Sequence, residues 1–156
     1  MFHAISPADM KQLEQLYMSK FQIPSLLLME LAAQGIIRGI LQHVNMHSHC
    51  VFLCGPGNNG GDGYAAARIW HDLGGHSTIL EIAQTPSTQE AQINRSLCME
   101  RHLQMMTISK PRSFLPTADL YIDALYGTGF HGDLDSIVRD LLRKICQSGI
   151  PELAVD

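Results

Sequence analysis

Apolar positions along this chain follow two patterns, one of helical period and one of short unbroken runs. Met10, Leu13, Leu16 and Tyr17 recur at helical spacing. Ahead of them, Ser6 suits a helix cap, Pro7 the first helical position and Asp9 the third residue after the cap. Pro24 and Ser25 separate this helix from residues 26–44. There Glu30, Gln34, Arg38 and Gln42 recur every four residues and form one polar stripe. The rest of that surface is apolar, which predicts a second helix buried on most sides. A regularly spaced Glu and Arg argue against a membrane span.

After residue 49 the pattern changes. Residues 50–54 (CVFLC), 78–83 (TILEIA), 105–109 and 119–125 (DLYIDAL) are short apolar runs, and 152–156 (ELAVD) opens a fifth. Such runs read as buried strands. Helices are predicted between them at 64–73, stopped by Gly74-Gly75, at 87–102, where the apolar pattern is weak, and at 135–147. The last has Asp135 as its cap, Ile137, Val138, Leu141, Leu142 and Ile145 as its inner face, and Gly149 as its stop. Strands alternating with helices predict an α/β fold: a Rossmann-like, doubly wound, mainly parallel sheet with helices on both faces, preceded by two N-terminal helices. In the usual winding order the first, fourth and fifth strands are neighbours. No helix follows the fifth strand, so a further C-terminal portion, or cover from another chain, is expected.

Composition narrows the class. The 156 residues are 46% apolar and 17% charged, which is globular composition for one domain. A net charge of −4, from 11 basic and 15 acidic residues, argues against nucleic-acid binding through overall charge. Cys50, Cys54, Cys98 and Cys146 form no CxxC pair, and no signal peptide opens the chain, so a reducing, cytoplasmic setting is expected.

The candidate chemistry begins at residues 55–63, GPGNNGGDG. Gly55, Gly57 and Gly60 satisfy G-x-G-x-x-G between a strand and a helix, and Glu81 ends the next strand, as in a dinucleotide-binding turn. Asn58, Asn59 and Asp62 crowd that turn with polar groups. A carboxylate at a helix N-terminus would repel a pyrophosphate, so the loop better suits a cation or a moving proton. The alternative for Asp62 is a simple helix cap. Asp123 interrupts an apolar strand, where a carboxylate is costly unless paired or coordinated. Ligands of open α/β sheets bind at the carboxyl ends of the strands. Asn58, Asn59 and Asp62, then Asp123 and the loop at residues 127–133 (GTGFHGD), then Asp156 are expected to converge there. Carboxylate and amide oxygens are hard ligands suited to Na⁺, K⁺, Mg²⁺ or Ca²⁺.

Four segments together, LLLMELAA, GPGNNGGDG, DLYIDALYGTG and LAVD, resemble the NAD(P)HX epimerase family, also called the YjeF N-terminal domain. The resemblance spans nearly the whole chain as a single domain over residues 1–156. It implies a Rossmann-like fold and a metabolite-repair reaction that interconverts the R and S forms of hydrated NADH and NADPH. It also implies bound K⁺, with Asn59 and Asp123 as ligands. The hydrated dinucleotide would be contacted by Asn58, Asn59, Gly60, Gly61 and Asp62, by Gly127, Thr128, Gly129, Phe130, His131, Gly132 and Asp133, and by Asp156. The family continues past the last matched strand into an I-P-S-G segment whose serine is a further K⁺ ligand; this chain stops just before it. Leu31 stands where many members have a polar residue.

Epimerisation needs a carboxyl group that alternates between acid and base. Asp156, Asp133 and Asp62 are the candidates, in that order. Three other readings compete. One is a non-catalytic binding or scaffold module, as in mRNA decapping assemblies. Another is the N-terminal fragment of a bifunctional epimerase with an ADP- or ATP-dependent dehydratase domain. The third is a conventional dinucleotide oxidoreductase. Small-molecule substrate rather than nucleic acid or membrane is the expected partner, and the second helix is a candidate to pack across a homodimer. His43, His47, His49 and Cys50 match no standard zinc spacing and read as a polar turn entering a strand. Met99, Met105 and Met106 are expected in the core.

Overall fold

The computed structural model describes residues 5–82, 84–108 and 115–155. Helices α1 (Pro7–Lys20) and α2 (Ser25–Ile40) precede β1 (His49–Cys54), α3 (Asn58–Asp72), β2 (His76–Glu81), α4 (Gln89–Glu100), β3 (Gln104–Thr107), β4 (Leu120–Ala124), α5 (Ser136–Ser148) and β5 (Glu152–Ala154). The five strands form one sheet in the order β3-β2-β1-β4-β5, every pair parallel. This is the doubly wound arrangement that the alternating pattern predicts.

Strand periodicity divides the core into two layers. Phe52, Cys54, Ile79, Leu120 and Ile122 face α2, α3 and α4, where Ala33, Ile37, Tyr64, Ala66 and Trp70 pack against them. Val51, Leu53, Leu80 and Tyr121 point the other way, onto Val138, Leu141 and Ile145 of α5. Burying each of those aliphatic side chains stabilises the fold by about 1.5–3 kcal/mol. The Asp135 carboxylate caps α5 by accepting from the Ile137 N–H at 2.7 Å, and Gly149 ends the helix with a left-handed φ of 71°.

Two expectations need correcting. Helix α2 is not buried on most sides. It packs chiefly on α3 and buries a single stripe, Met29, Ala33, Ile37 and Ile40. Leu27 and Leu41 are exposed, and Leu31 is 53% exposed. One neighbouring helix covers one face, whatever the polarity of the others. The stripe Met10, Leu13, Leu16 and Tyr17 of α1 is likewise exposed. Met99 lies on the outer face of α4, 52% exposed, whereas Met105 and Met106 pack at the edges of the two layers.

His43 and His47 are exposed in the turn before β1, and the His49 ring lies 2.8 Å from Thr78 Oγ1. All four cysteines are free; only Cys146 is exposed. Among the described residues no helix is long and apolar enough to cross a membrane.

Candidate functional site at the carboxyl ends of the strands

The glycine-rich segment is mostly helix. Gly57 is the N-cap of α3, and Asn58 through Gly63 form its opening turns. Asp62 therefore sits on the second turn and caps nothing, which corrects both the loop expectation and the capping alternative. Glycine is a poor helix former, costing about 1 kcal/mol relative to alanine, so local propensity hides this start. Close packing overrides it. A Cβ at Gly60 would lie 1.9 Å from the Gly55 carbonyl oxygen, and one at Gly55 would lie 1.6 Å from the Leu125 carbonyl oxygen. Gly61 faces Met29, and Gly63 faces Ala124 and Cys54. The motif thus alternates function: Gly55, Gly60, Gly61 and Gly63 are buried against neighbouring backbone and side chains, whereas Asn58, Asn59 and Asp62 retain exposure. Positions three and four apart share a helix face, so these three polar side chains form one group.

Strand pairing brings the other segments to the same edge. Leu53 is in register with Asp123, and Asp123 with Ala154. The Gly55 N–H donates to the Ala124 carbonyl at 3.0 Å, which ties the glycine turn to the end of β4. The Val155 N–H donates to the Asp123 carbonyl at 2.8 Å, so β5 ends beside Asp123. Asp156 lies outside the described residues. The loop at 127–133 leaves β4 at this edge. The Tyr126 and Phe130 rings lie 4.2 Å apart there, and Gly132 has a φ of 112°. His131 and Asp133 are exposed.

The electrostatics single out two carboxyls. Burial, with a smaller push from the Glu14 carboxylate of α1, raises Asp62 from its ordinary value to about 7. Burial also raises Asp123, although its Oδ1 accepts the Leu125 N–H at 2.9 Å. The Asn59 Nδ2 is buried and has no hydrogen-bond partner among the described residues. Among those residues no three His, Cys, Asp or Glu side chains gather as a metal cluster. Any cation here would rest on mixed oxygen donors.

Glu81 holds the position where a dinucleotide oxidoreductase reads the adenosine ribose. It does not offer its carboxylate. Glu81 is 2% exposed and accepts from Tyr64 Oη at 2.9 Å, from Arg95 Nε and Nη2 at 2.8 Å each, and from Thr107 Oγ1 at 3.1 Å. Burial alone would raise its carboxyl, but the Arg95 fork, with Tyr64 and Thr107, holds it below the usual range. The sequence reading missed both Arg95, on the weakly patterned α4, and Glu14, which lies far from Asp62 in the chain.

A family model described as the YjeF-related protein N-terminus matches residues 25–156. The chain belongs to this family. Similar relatives of the YjeF-related domain include a protein named NAD(P)H-hydrate epimerase from Limosilactobacillus fermentum. It is 34% identical over 154 residues, covering 98% of this chain and 73% of the relative. A second, of the same name from Rhodopirellula baltica, is 28% identical and is spanned over 61% of its length. A third, the bifunctional NAD(P)H-hydrate repair enzyme Nnr of Moorella thermoacetica, is 30% identical, and this chain spans 31% of its length. The fold of the YjeF-related domain also matches the crystal structure of yeast ynu0, with a TM-score of 0.78 at 22% identity, over 99% of this chain and 70% of that one.

Proposed function

We propose that this chain interconverts the R and S epimers of hydrated NADH and NADPH at the edge formed by β1, β4 and β5. The observation that carries the reading is Asp62: a partly buried carboxyl, poised near neutrality beside the glycine turn, in a chain whose relatives are named NAD(P)H-hydrate epimerases.

The hydrated ring carries a hydroxyl on C6, next to the ring nitrogen. When a carboxyl protonates that hydroxyl, it leaves as water while the nitrogen lone pair forms a C=N bond. Water then adds to either face and returns a proton to the carboxylate. The group needed is an acid and a base in turn, near the operating pH. Asp62 meets that need. Among the described residues this favours Asp62 over the exposed Asp133, and Asp156, which lies outside them, stays the other candidate. Asn58 through Asp62, the loop at 127–133 and Asp156 are the proposed contacts to the hydrated dinucleotide.

Asn59 and Asp123 fit the K⁺ that the family implies. Both offer hard oxygens. Asp123 is a carboxyl raised by burial, a cost that a bound cation would relieve; the Asn59 atom without a partner is its Nδ2 donor, so Asn59 would have to turn its Oδ1 to the ion. K⁺ would offset the charge of Asp123 and fix the surrounding turns. Asn59 and Asp123 position those turns, whereas Asp62 moves the proton. Four free thiols and the nature of the substrate support a reducing, cytoplasmic setting.

The test is a hydrate sample enriched in one epimer, incubated with the protein with and without K⁺ and followed by chromatography. Exchange faster than the spontaneous rate, dependent on K⁺, is the expected result. Exchange at the spontaneous rate under both conditions would remove the reading.

A further inference from the structure

From Ala8 to Lys20 every side chain of α1 is exposed. The helix does not pack extensively on any other helix or strand among the described residues. It has 14 residues, and an isolated helix below about 12–15 residues is marginal in water; packing of an apolar face supplies most helical stability. Helix α1 has such a face. Met10, Leu13, Tyr17 and Phe21 recur at helical spacing, and the Tyr17 and Phe21 rings lie 5.6 Å apart. Past the elbow at 21–24, Leu27 and Leu31 of α2 continue the exposed apolar surface. Between Met10 and Leu31, nine large apolar side chains are each at least 36% exposed. The largest apolar patch of a typical monomer is about 300–600 Å². Nine such side chains open more than that, roughly the 800 Å² that each side of a stable dimer covers.

Charge selects the occupant. Asp9 in the first turn and Lys20 in the last lie on one flank of the stripe. Asp9 accepts from Ser6 Oγ at 2.6 Å and remains exposed. Reversing one α1 against another sets Asp9 of each beside the partner's Lys20, and Leu13 against the partner's Tyr17. The stripe is thus complementary to itself, as a two-fold interface requires. A membrane surface fits less well. Helices that lie on anionic lipid carry an excess of Lys and Arg, whereas α1 balances Lys11 and Lys20 against Asp9 and Glu14, and the chain carries −4. Glu14 stands on the other flank, where its carboxylate acts on Asp62 of α3. That flank is turned to the chain's own body, which leaves the flank of Asp9 and Lys20 open.

We infer that the apolar stripe of α1 is the docking surface for a second copy of this chain. The two α1 helices pair antiparallel about a two-fold axis near Gln15, with Leu13 and Tyr17 at the centre and Leu27 and Leu31 of α2 at the rim. A central tyrosine with an aliphatic neighbour is the kind of anchor that carries most of an interface's binding energy. The inference stands independently of the epimerase reading.

Sedimentation velocity of the full chain at micromolar concentration tests it. The expected particle has twice the 17.3 kDa of one chain. Leu13→Gln combined with Tyr17→Gln should raise the dissociation constant at least about thirtyfold. Leu73→Gln, 42% exposed at the far end of α3, should leave it unchanged. Asp9→Lys should weaken the dimer several-fold, and adding Lys20→Asp should restore it, because each new lysine then meets a new aspartate. Near-ultraviolet circular dichroism of the buried Trp70 shows that each variant is folded. A monomeric parent overturns the inference, and one that instead co-sediments with phosphatidylserine vesicles assigns the stripe to a lipid surface. A dimer that survives the loss of Leu13 and Tyr17 together, or one weakened by Asp9→Lys that Lys20→Asp fails to restore, also overturns it.

Discussion

Asp62 shows what a single residue's surroundings can do that its type does not announce. Read from the sequence, it was one carboxylate of three and a candidate cap. In the fold it stands on the second turn of α3, partly buried, with the Glu14 charge nearby, and burial raises it to about 7. The sign of the linked stability follows. An unfolded aspartate releases its proton near pH 3.9, while the folded one holds its proton to about 7. Between those values the folded state binds more protons, so stability falls as pH rises, and the loss is complete above pH 7. Asp62→Asn removes the ionisation. The variant should be more stable than the parent at pH 8 by roughly 2–4 kcal/mol, the difference closing as pH falls toward 4. Urea midpoints at the two pH values measure this; equal differences at both would show that Asp62 carries no such burden.

At the scale of elements, strands and long periodic helices were legible, and the helix start at the glycines was not. β1, β4 and α5 follow unbroken apolar runs or clear periodicity, so their existence and faces could be read within a residue or two. α3 begins six residues earlier than the pattern predicts, because tertiary contacts of Gly60, Gly61 and Gly63 decide it and propensity does not. Gly55→Ala should destabilise by at least about 3 kcal/mol, since its Cβ would meet backbone that cannot move aside. Gly57→Ala, which meets nothing within 4 Å, should cost no more than about 1 kcal/mol. A similar loss in both thermal melts would contradict the close-approach account. The polar stripe of α2 coincides with its exposed side, but only the stripe Met29, Ala33, Ile37 and Ile40 of its broad apolar surface is buried. Leu31→Gln should shift stability by no more than about 0.5 kcal/mol, while Ile40→Gln, fully buried, should cost at least about 3 kcal/mol. Chemical denaturation of the two variants separates a one-sided helix from a buried one.

For the whole molecule, topology was the most legible level. The alternation of strands and helices left one common winding, and β3-β2-β1-β4-β5 is that winding. That order, more than any motif, brings Asn58 through Asp62 and Asp123 to one edge. What the sequence could not give was the state of the groups once gathered. Glu81 looked like a ribose reader and is a buried tie between α3, α4, β2 and β3. Such a role depends on partners far apart in the chain, and no local pattern marks it. The most direct test of the central claim is the rate at which purified protein, in K⁺, converts one epimer of hydrated NADH into the other, set beside Asp62→Asn at equal concentration. The account predicts exchange well above the spontaneous rate for the parent and a loss of about a hundredfold or more in the folded variant, the scale of acid–base catalysis. Parent and variant exchanging at the same rate would contradict it.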